Sequence, residues 1–204
     1  MLVRAMQRWP AVGAGMLAAA MCSAAAAVPW TIQLRDSTGQ PLVDAAVAVE
    51  IRGLPAKASA GTVAQMGQHD KQFSPLVLVV QTGTAVLFPN FDTVRHHVYS
   101  FSPIKSFDLK LYSGTPAEPV VFDKPGVAEL GCNIHDRMSA HIVVVDTPQF
   151  GKTDAQGQLK LDLPPGDHTL RLWHARLAAP ALLGQALHVT PTGGQSTISP
   201  PLAR

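Results

Sequence analysis

The residues best able to do chemistry lie in one short run, Cys132-Asn133-Ile134-His135-Asp136-Arg137-Met138, which sets a thiol, an imidazole and a thioether within seven residues. A soft thiolate, two imidazoles and a weak axial thioether in a trigonal arrangement make a type 1, or blue, copper site. Soft sulfur favours Cu(I) and imidazole suits Cu(II). The mixture holds either state with little rearrangement, which is what one-electron transfer requires. The second imidazole must come from elsewhere, and Val94-Arg95-His96-His97-Val98-Tyr99-Ser100 offers two candidates. Zinc is the rival metal, but it normally takes more thiolate or carboxylate and has no use for a thioether. Each residue also has a plain structural reading: a lone Cys is commonly a small buried hydrophobe and a lone Met core, and adjacent histidines on a strand point one in and one out. Their joint spacing favours the metal.

Strands must position these side chains. Trp30, Ile32 and Leu34 alternate on one face before the turn Asp36-Ser37-Thr38-Gly39, and 45–51 reads as a second strand. The run 76–80 is continuously apolar, the pattern of a strand buried on both faces. Further strands are expected over 85–88, 96–101, 108–111, 120–122, 127–132, 141–145, 159–163, 169–173 and 186–190. Seventeen Pro and 16 Gly punctuate the chain, and short strands at regular spacing predict an all-β sandwich or sandwiches. Composition shifts place boundaries near 53–67 and 147–151. No amphipathic helix of useful length appears.

The first residues describe a leader. Arg4 and Arg8 precede an apolar, alanine-rich run and then Ala24 to Ala27. A basic start, a short apolar core and an A-x-A ending predict a secretory signal peptide over 1–27 and export to a periplasm. The apolar run is shorter than the ~20 residues a spanning helix needs, and no later run is long enough, so the mature chain is expected to have no membrane span. Met21 before Cys22 stands where a lipoprotein signal needs a small residue. With the leader gone, Cys132 is the one remaining cysteine, and an exported chain with a single thiol must bury it or bond it to something.

Composition narrows the classes. Charged residues are 15% and hydrophobic ones 47% of the 204 residues, which excludes a disordered or nucleic-acid-coating chain. The formal charge of +2 derives from Arg4 and Arg8, so the mature chain is neutral and its charge does not point to a partner. No Ser-His-Asp order, phosphate-cradling Gly loop, zinc-protease helix or catalytic carboxylate pair can be picked out. A mononuclear site with four protein ligands leaves no open position for a substrate, so the expectation is a protein that is not an enzyme.

Taken together, these residues resemble the cupredoxins, the plastocyanin and amicyanin group. The Cys-x2-His-x2-Met spacing is amicyanin-like, and the surrounding text is similar to exported plastocyanin-like proteins of the methylamine-utilisation type. The resemblance runs over about 63–146 and is carried by Phe73-Ser74-Pro75, the stretch Gly83 to Asp92, His96 to Ser100, Phe122 to Gly126 and Gly131 to Met138. It implies Cys132 as thiolate ligand, His96 and His135 as imidazole ligands and Met138 as the axial ligand, with His135 at the rim where electrons leave. It further implies that Asn90 and Asp92 brace the loop before the first ligand. Cupredoxins usually read His-Asn-Val there, which makes His96 the ligand and puts His97 in the bracing position. Strand alternation argues otherwise, since His97, Tyr99 and Phe101 would share the inward face. The flanks carry a second resemblance: Ile32 to Ala45 and Thr153 to Leu170 are similar to a carboxypeptidase-regulatory-like, immunoglobulin-like β-sandwich.

The expectation is therefore an all-β chain with a cupredoxin Greek-key β-sandwich over 61–146, inserted in or flanked by a small immunoglobulin-like sandwich built from 28–60 and 147–204. It would hold one mononuclear type 1 copper and carry single electrons between protein redox partners, as a periplasmic monomer that binds no nucleic acid. Two other readings stay open. One is copper delivery without a redox role; the other is a structural interaction module whose copper loop has no function.

Overall fold

The computed structural model describes residues 26–178 and 181–203. The expected leader, up to residue 25, lies outside the described residues.

Among the described residues the secondary structure is all β. In chain order the strands are β1 Val28–Leu34, β2 Ala46–Glu50, β3 Val63–Gln65, β4 Gly67–His69, β5 Gln72–Ser74, β6 Val77–Gln81, β7 Thr84–Leu87, β8 His96–Ser102 and β9 Lys105–Tyr112. They continue with β10 Val120–Phe122, β11 Gly126–Gly131, β12 Ser139–Val145, β13 Phe150–Lys152, β14 Gln158–Leu163, β15 Gly166–Trp173, β16 Leu183–Val189 and β17 Gly194–Ile198. Short pieces such as β3, β4, β5 and β13 carry too few residues to show an alternation, so the sequence does not announce them.

Two sandwiches result. In the first, the sheet β14-β1-β17 faces the sheet β13-β2-β15-β16. Alternate residues of β1 (Trp30, Ile32, Leu34) meet Val47 and Val49 of β2 and Leu170 and Leu172 of β15 in one buried cluster. Both ends of the chain build it, because β1 pairs with β14 antiparallel and with β17 parallel. Thr153 ties the halves: its Oγ1 donates to Leu42 O at 2.6 Å and accepts from Ala45 N at 2.9 Å.

The second sandwich is made by the sheet β6-β12-β11-β8-β9 and the smaller sheet β10-β7-β3. Val86 and Phe122 of the small sheet pack on Val80, Val98, Ala128, Leu130, Ile142 and Val144 of the large one, and Cys132 and Met138 belong to the same cluster. A third cluster joins the two sandwiches. Ala46 and Ala48 of β2 and Trp173 of β15 meet Val77 of β6 and Val143 and Val145 of β12. Strand β12 is thus buried on both faces, as is β6, which explains the unbroken apolar runs of these two parallel neighbours. Alanine on the outward face of β2 lets the sheets approach closely.

Strand β8 corrects one expectation. Its inward residues are His96, Val98 and Ser100, each fully buried, while Phe101 is 76% exposed. His97, Tyr99 and Phe101 therefore do not share the inward face. Pairing with β9 carries a register irregularity between His96 and Val98, so His97 is buried as well, on the other side.

Candidate metal centre

The loop 132–138 joins two strands that are hydrogen-bonded neighbours. Strand register pairs Gly131 with Ser139, Leu130 with Ala140 and Ala128 with Ile142. Leu130 and Ala140 point into the core, so alternation returns Cys132 and Met138 to that face at the two roots of the loop. Both are buried, at 5% and 2% exposure. A turn closes the loop, with Met138 N donating to His135 O at 2.9 Å, and His135 stands at its half-buried end. The Tyr99 ring lies over Gly131: a Cβ there would sit 2.6 Å from it, so a larger residue would push the ring aside.

The first imidazole arrives from β8. One donor atom each from His96, Cys132 and His135 lies within 4.8 Å of the others. The sulfur of Cys132 is 4.0 Å from His96 Nδ1, and the two histidine rings are 5.1 Å apart at 59°. The other nitrogen of His96, Nε2, donates to Asp92 Oδ2 at 2.7 Å. A carboxylate only accepts, so the hydrogen sits on Nε2 and the Nδ1 lone pair faces the sulfur. His135 Nδ1 is buried with no hydrogen-bond partner among the described residues. A buried imidazole nitrogen left unpaired is costly, and a metal bound among these donors would satisfy it. The set of one soft thiol and two imidazoles, with Met138 in the adjoining core, fits copper.

The structure thus brings together three of the four residues expected as ligands and places the fourth at the root of the same loop. His97 is separate. Its Nε2 bonds Asp108 of β9 and its ring lies 5.5 Å from that of Tyr99. The bond from His97, followed by Lys110, holds the Asp108 carboxyl below its usual range.

Asn90 and Asp92 organise the approach to His96. Asn90 Nδ2 donates to Val94 O at 2.9 Å and Tyr112 O at 3.1 Å, and its Oδ1 accepts from Asp92 N at 2.9 Å. Asp92 accepts the backbone N–H groups of Asp70 at 2.7 Å and Lys71 at 2.9 Å. The Lys71 amide is the main cause of its lowered pKa, with the His96 bond contributing against the effect of burial. These turn amides escape a reading of the sequence, because a backbone N–H donor carries no residue-type signal. Tyr112, also unforeseen, is a half-buried phenol that donates to Phe88 O at 2.7 Å; desolvation pushes its pKa up to about 12, and the charge of Cys132 adds to this. The ring of His141, another histidine near the loop, lies 4.6 Å from that of Trp173 at an angle of 47°, outside the metal group.

No protein-family model and no curated protein matches this chain. Among solved structures it is similar to a purple cupredoxin from Nitrosopumilus maritimus, at 25% identity over 40% of this chain and 98% of that one, with a TM-score of 0.35. It is also similar to the reduced Cu(I) form of an amicyanin variant, at 15% identity over 48% and 97%, TM-score 0.37. A Cu-containing nitrite reductase from Thermus scotoductus aligns at 25% identity over 48% of this chain and 25% of that one, TM-score 0.39. The chain spans about a quarter of the reductase. The functional argument rests on the donor geometry.

Proposed function

We propose that this protein is a type 1 copper protein that carries single electrons between protein redox partners, with His96, Cys132, His135 and Met138 as ligands. The observation that carries the reading is that one donor atom each from His96, Cys132 and His135 lies within 4.8 Å of the others, while His135 Nδ1 is buried with no hydrogen-bond partner among the described residues. A bound copper supplies one Cu(II)/Cu(I) couple, and nothing in the reading calls for a substrate. The chain supplies the rest. Cys132 binds as thiolate, so its proton leaves on metal uptake. His96 is buried and anchored, whereas His135 is partly exposed and provides the contact through which an electron enters from a reduced partner and leaves to an oxidised one. Asn90 and Asp92 brace the first-ligand loop, and His97 steadies β8 from its far side through Asp108. The packed sandwich holds the donors in place in both redox states, so little rearrangement accompanies transfer.

In this reading 1–27 is an export leader and the protein works in a periplasm as a monomer. Residues 61–146 form the copper sandwich, and 28–60 with 147–204 form the supporting one. No helix among the described residues is long and apolar enough to cross a membrane. The test is one equivalent of Cu(II) added to the mature protein, followed by visible absorption and electron paramagnetic resonance. An intense thiolate-to-copper band with narrow hyperfine splitting is expected, with a reversible one-electron couple. A weak tetragonal spectrum, or no uptake, would overturn the reading.

A further inference from the structure

Asp92 is where three segments meet. Its Oδ2 accepts from His96 Nε2 and from Lys71 N, and its Oδ1 accepts from Asp70 N. The two amides belong to the turn of the β4–β5 hairpin, where Asp70 and Lys71 adopt φ of 51° and 59°. Left-handed backbone at both central residues is the type I′ hairpin geometry, which normally selects Asn-Gly or Asp-Gly. Lysine at the second position is disfavoured there, and such an outlier persists only where its surroundings over-determine it. The surroundings are visible. The His69 ring lies 4.4 Å from that of Phe91 at an interplanar angle of 10°, Gln68 N donates to Pro89 O at 2.9 Å, and Phe91 N donates to Gln68 O at 3.0 Å. The hairpin is thus clipped to residues 89–92 of the segment that leads to the first imidazole.

We propose that Asp92 and the β4–β5 hairpin are a positioning device for His96: the turn amides aim the carboxylate at Nε2, which keeps the ring hydrogen there and presents Nδ1 to the copper. The inference rests on the copper reading for its metal-bound consequence and on geometry alone for its metal-free one. An anion hydrogen-bonded to a ligating imidazole makes the ring a better donor, and better donation favours Cu(II) over Cu(I). Asp92 therefore lowers the reduction potential as well as orienting the ring. It touches no copper and is a positioning residue.

The test compares the mature wild type with Asp92→Ala, Asp92→Asn, Lys71→Gly and Lys71→Pro, each checked for native far-UV circular dichroism. Nitrogen NMR of the metal-free wild type should show His96 as the Nε2–H tautomer, and Asp92→Ala should mix the tautomers. Cu(II) affinity should fall by about 10- to 100-fold in Asp92→Ala. Where Cu(I) affinity holds, each tenfold loss is a rise of about 59 mV in potential. Asp92→Asn, which keeps an acceptor and loses the charge, should raise the potential. Lys71→Gly keeps the amide and suits the left-handed φ, so it should change neither readout. Lys71→Pro removes the N–H and, with φ fixed near −65°, also forces the turn out of its left-handed form, so it should shift both readouts in the direction of Asp92→Ala, with no further shift in an Asp92→Ala background. If Asp92→Ala keeps both the tautomer and the potential, the proposal is wrong even where Lys71→Pro fails to fold. Failure of the wild type to take up copper sinks the copper reading instead, and the metal-free tautomer still decides the positioning role.

Discussion

His96 and His97 are consecutive residues with separate surroundings. His96 is fully buried, with Asp92 on one nitrogen and the Cys132 sulfur beyond the other. His97 reaches across to Asp108 on β9. Two substitutions separate them: His97→Gln should leave the thiolate-to-copper band in place, whereas His96→Gln should remove it or change it to a tetragonal spectrum. Equal loss in both variants would contradict the assignment. Cys132→Ser should abolish the band while leaving far-UV circular dichroism unchanged, because hydroxyl for thiol preserves shape at a site already beside His96 Nδ1. Loss of the strand signal together with the colour would count against this. At this scale the donor types are legible in the sequence, since Cys132, His135 and Met138 lie on one loop. The choice between two adjacent imidazoles is not, because alternation along a strand says only that they face opposite ways; the aromatic Tyr99 and Phe101 suggest an inward face that tertiary packing gives to Val98 and Ser100 instead.

Elements hold these residues through turns whose backbone leaves little choice. Gly157, between β13 and β14, has φ of 73°, and a Cβ there would stand 2.5 Å from Leu34 O and 3.2 Å from Leu42 N. Gly39 has φ of 85° but open space around it. Alanine at either position meets the left-handed penalty of about 1–2 kcal/mol; at Gly157 it adds a clash with backbone, of about 1–3 kcal/mol. Urea unfolding should therefore find Gly157→Ala more destabilising than Gly39→Ala, and equal costs would show that the turn relaxes freely. Turns with Gly at left-handed positions can be read in advance, as at Asp36-Ser37-Thr38-Gly39. The Asp70-Lys71 turn is harder to read, since Lys71 at its second central position does not advertise a positive φ. Its role as the support of Asp92 arises from contacts with a segment some twenty residues later.

At the scale of the molecule, the described residues build two sandwiches sharing a seam of small and branched side chains, Ala46, Ala48, Val77, Val143 and Val145. At its border His141 packs against Trp173, across the sheet from Glu129, and His174 lines the same cleft. Asp44 and Arg137 face the neighbouring cleft that both histidines also line. Burial lowers the pKa of His141 and of His174 from the ordinary 6.5, against opposing charges from Glu129 and Asp44 respectively. The unfolded chain then binds these protons more readily than the folded one, so unfolding free energy rises with pH through this range. Their contribution is flat above pH 6.5 and is lost progressively as pH falls from 6.5 toward the lowered folded values. His141→Phe keeps an aromatic ring against Trp173 and should flatten the loss of stability between about pH 7 and 5; parallel curves for wild type and variant would refute the assignment.

What the sequence alone determines here is local: strands that alternate or run apolar, turns marked by glycine, and a loop whose spacing carries sulfur, nitrogen and sulfur donors. These follow from the period-2 geometry of a strand and from side-chain chemistry, neither of which needs distant partners. Tertiary structure decides the rest. Trp30 hydrogen-bonds Ser196, 166 residues away, across paired strands from the two ends of the chain, and Asp92 joins a hairpin turn to the ring of His96. Which imidazole turns inward, and what holds it there, depends on pairings between segments far apart in sequence. The energy of such pairings belongs to the assembled sheets and is written in no single stretch of residues.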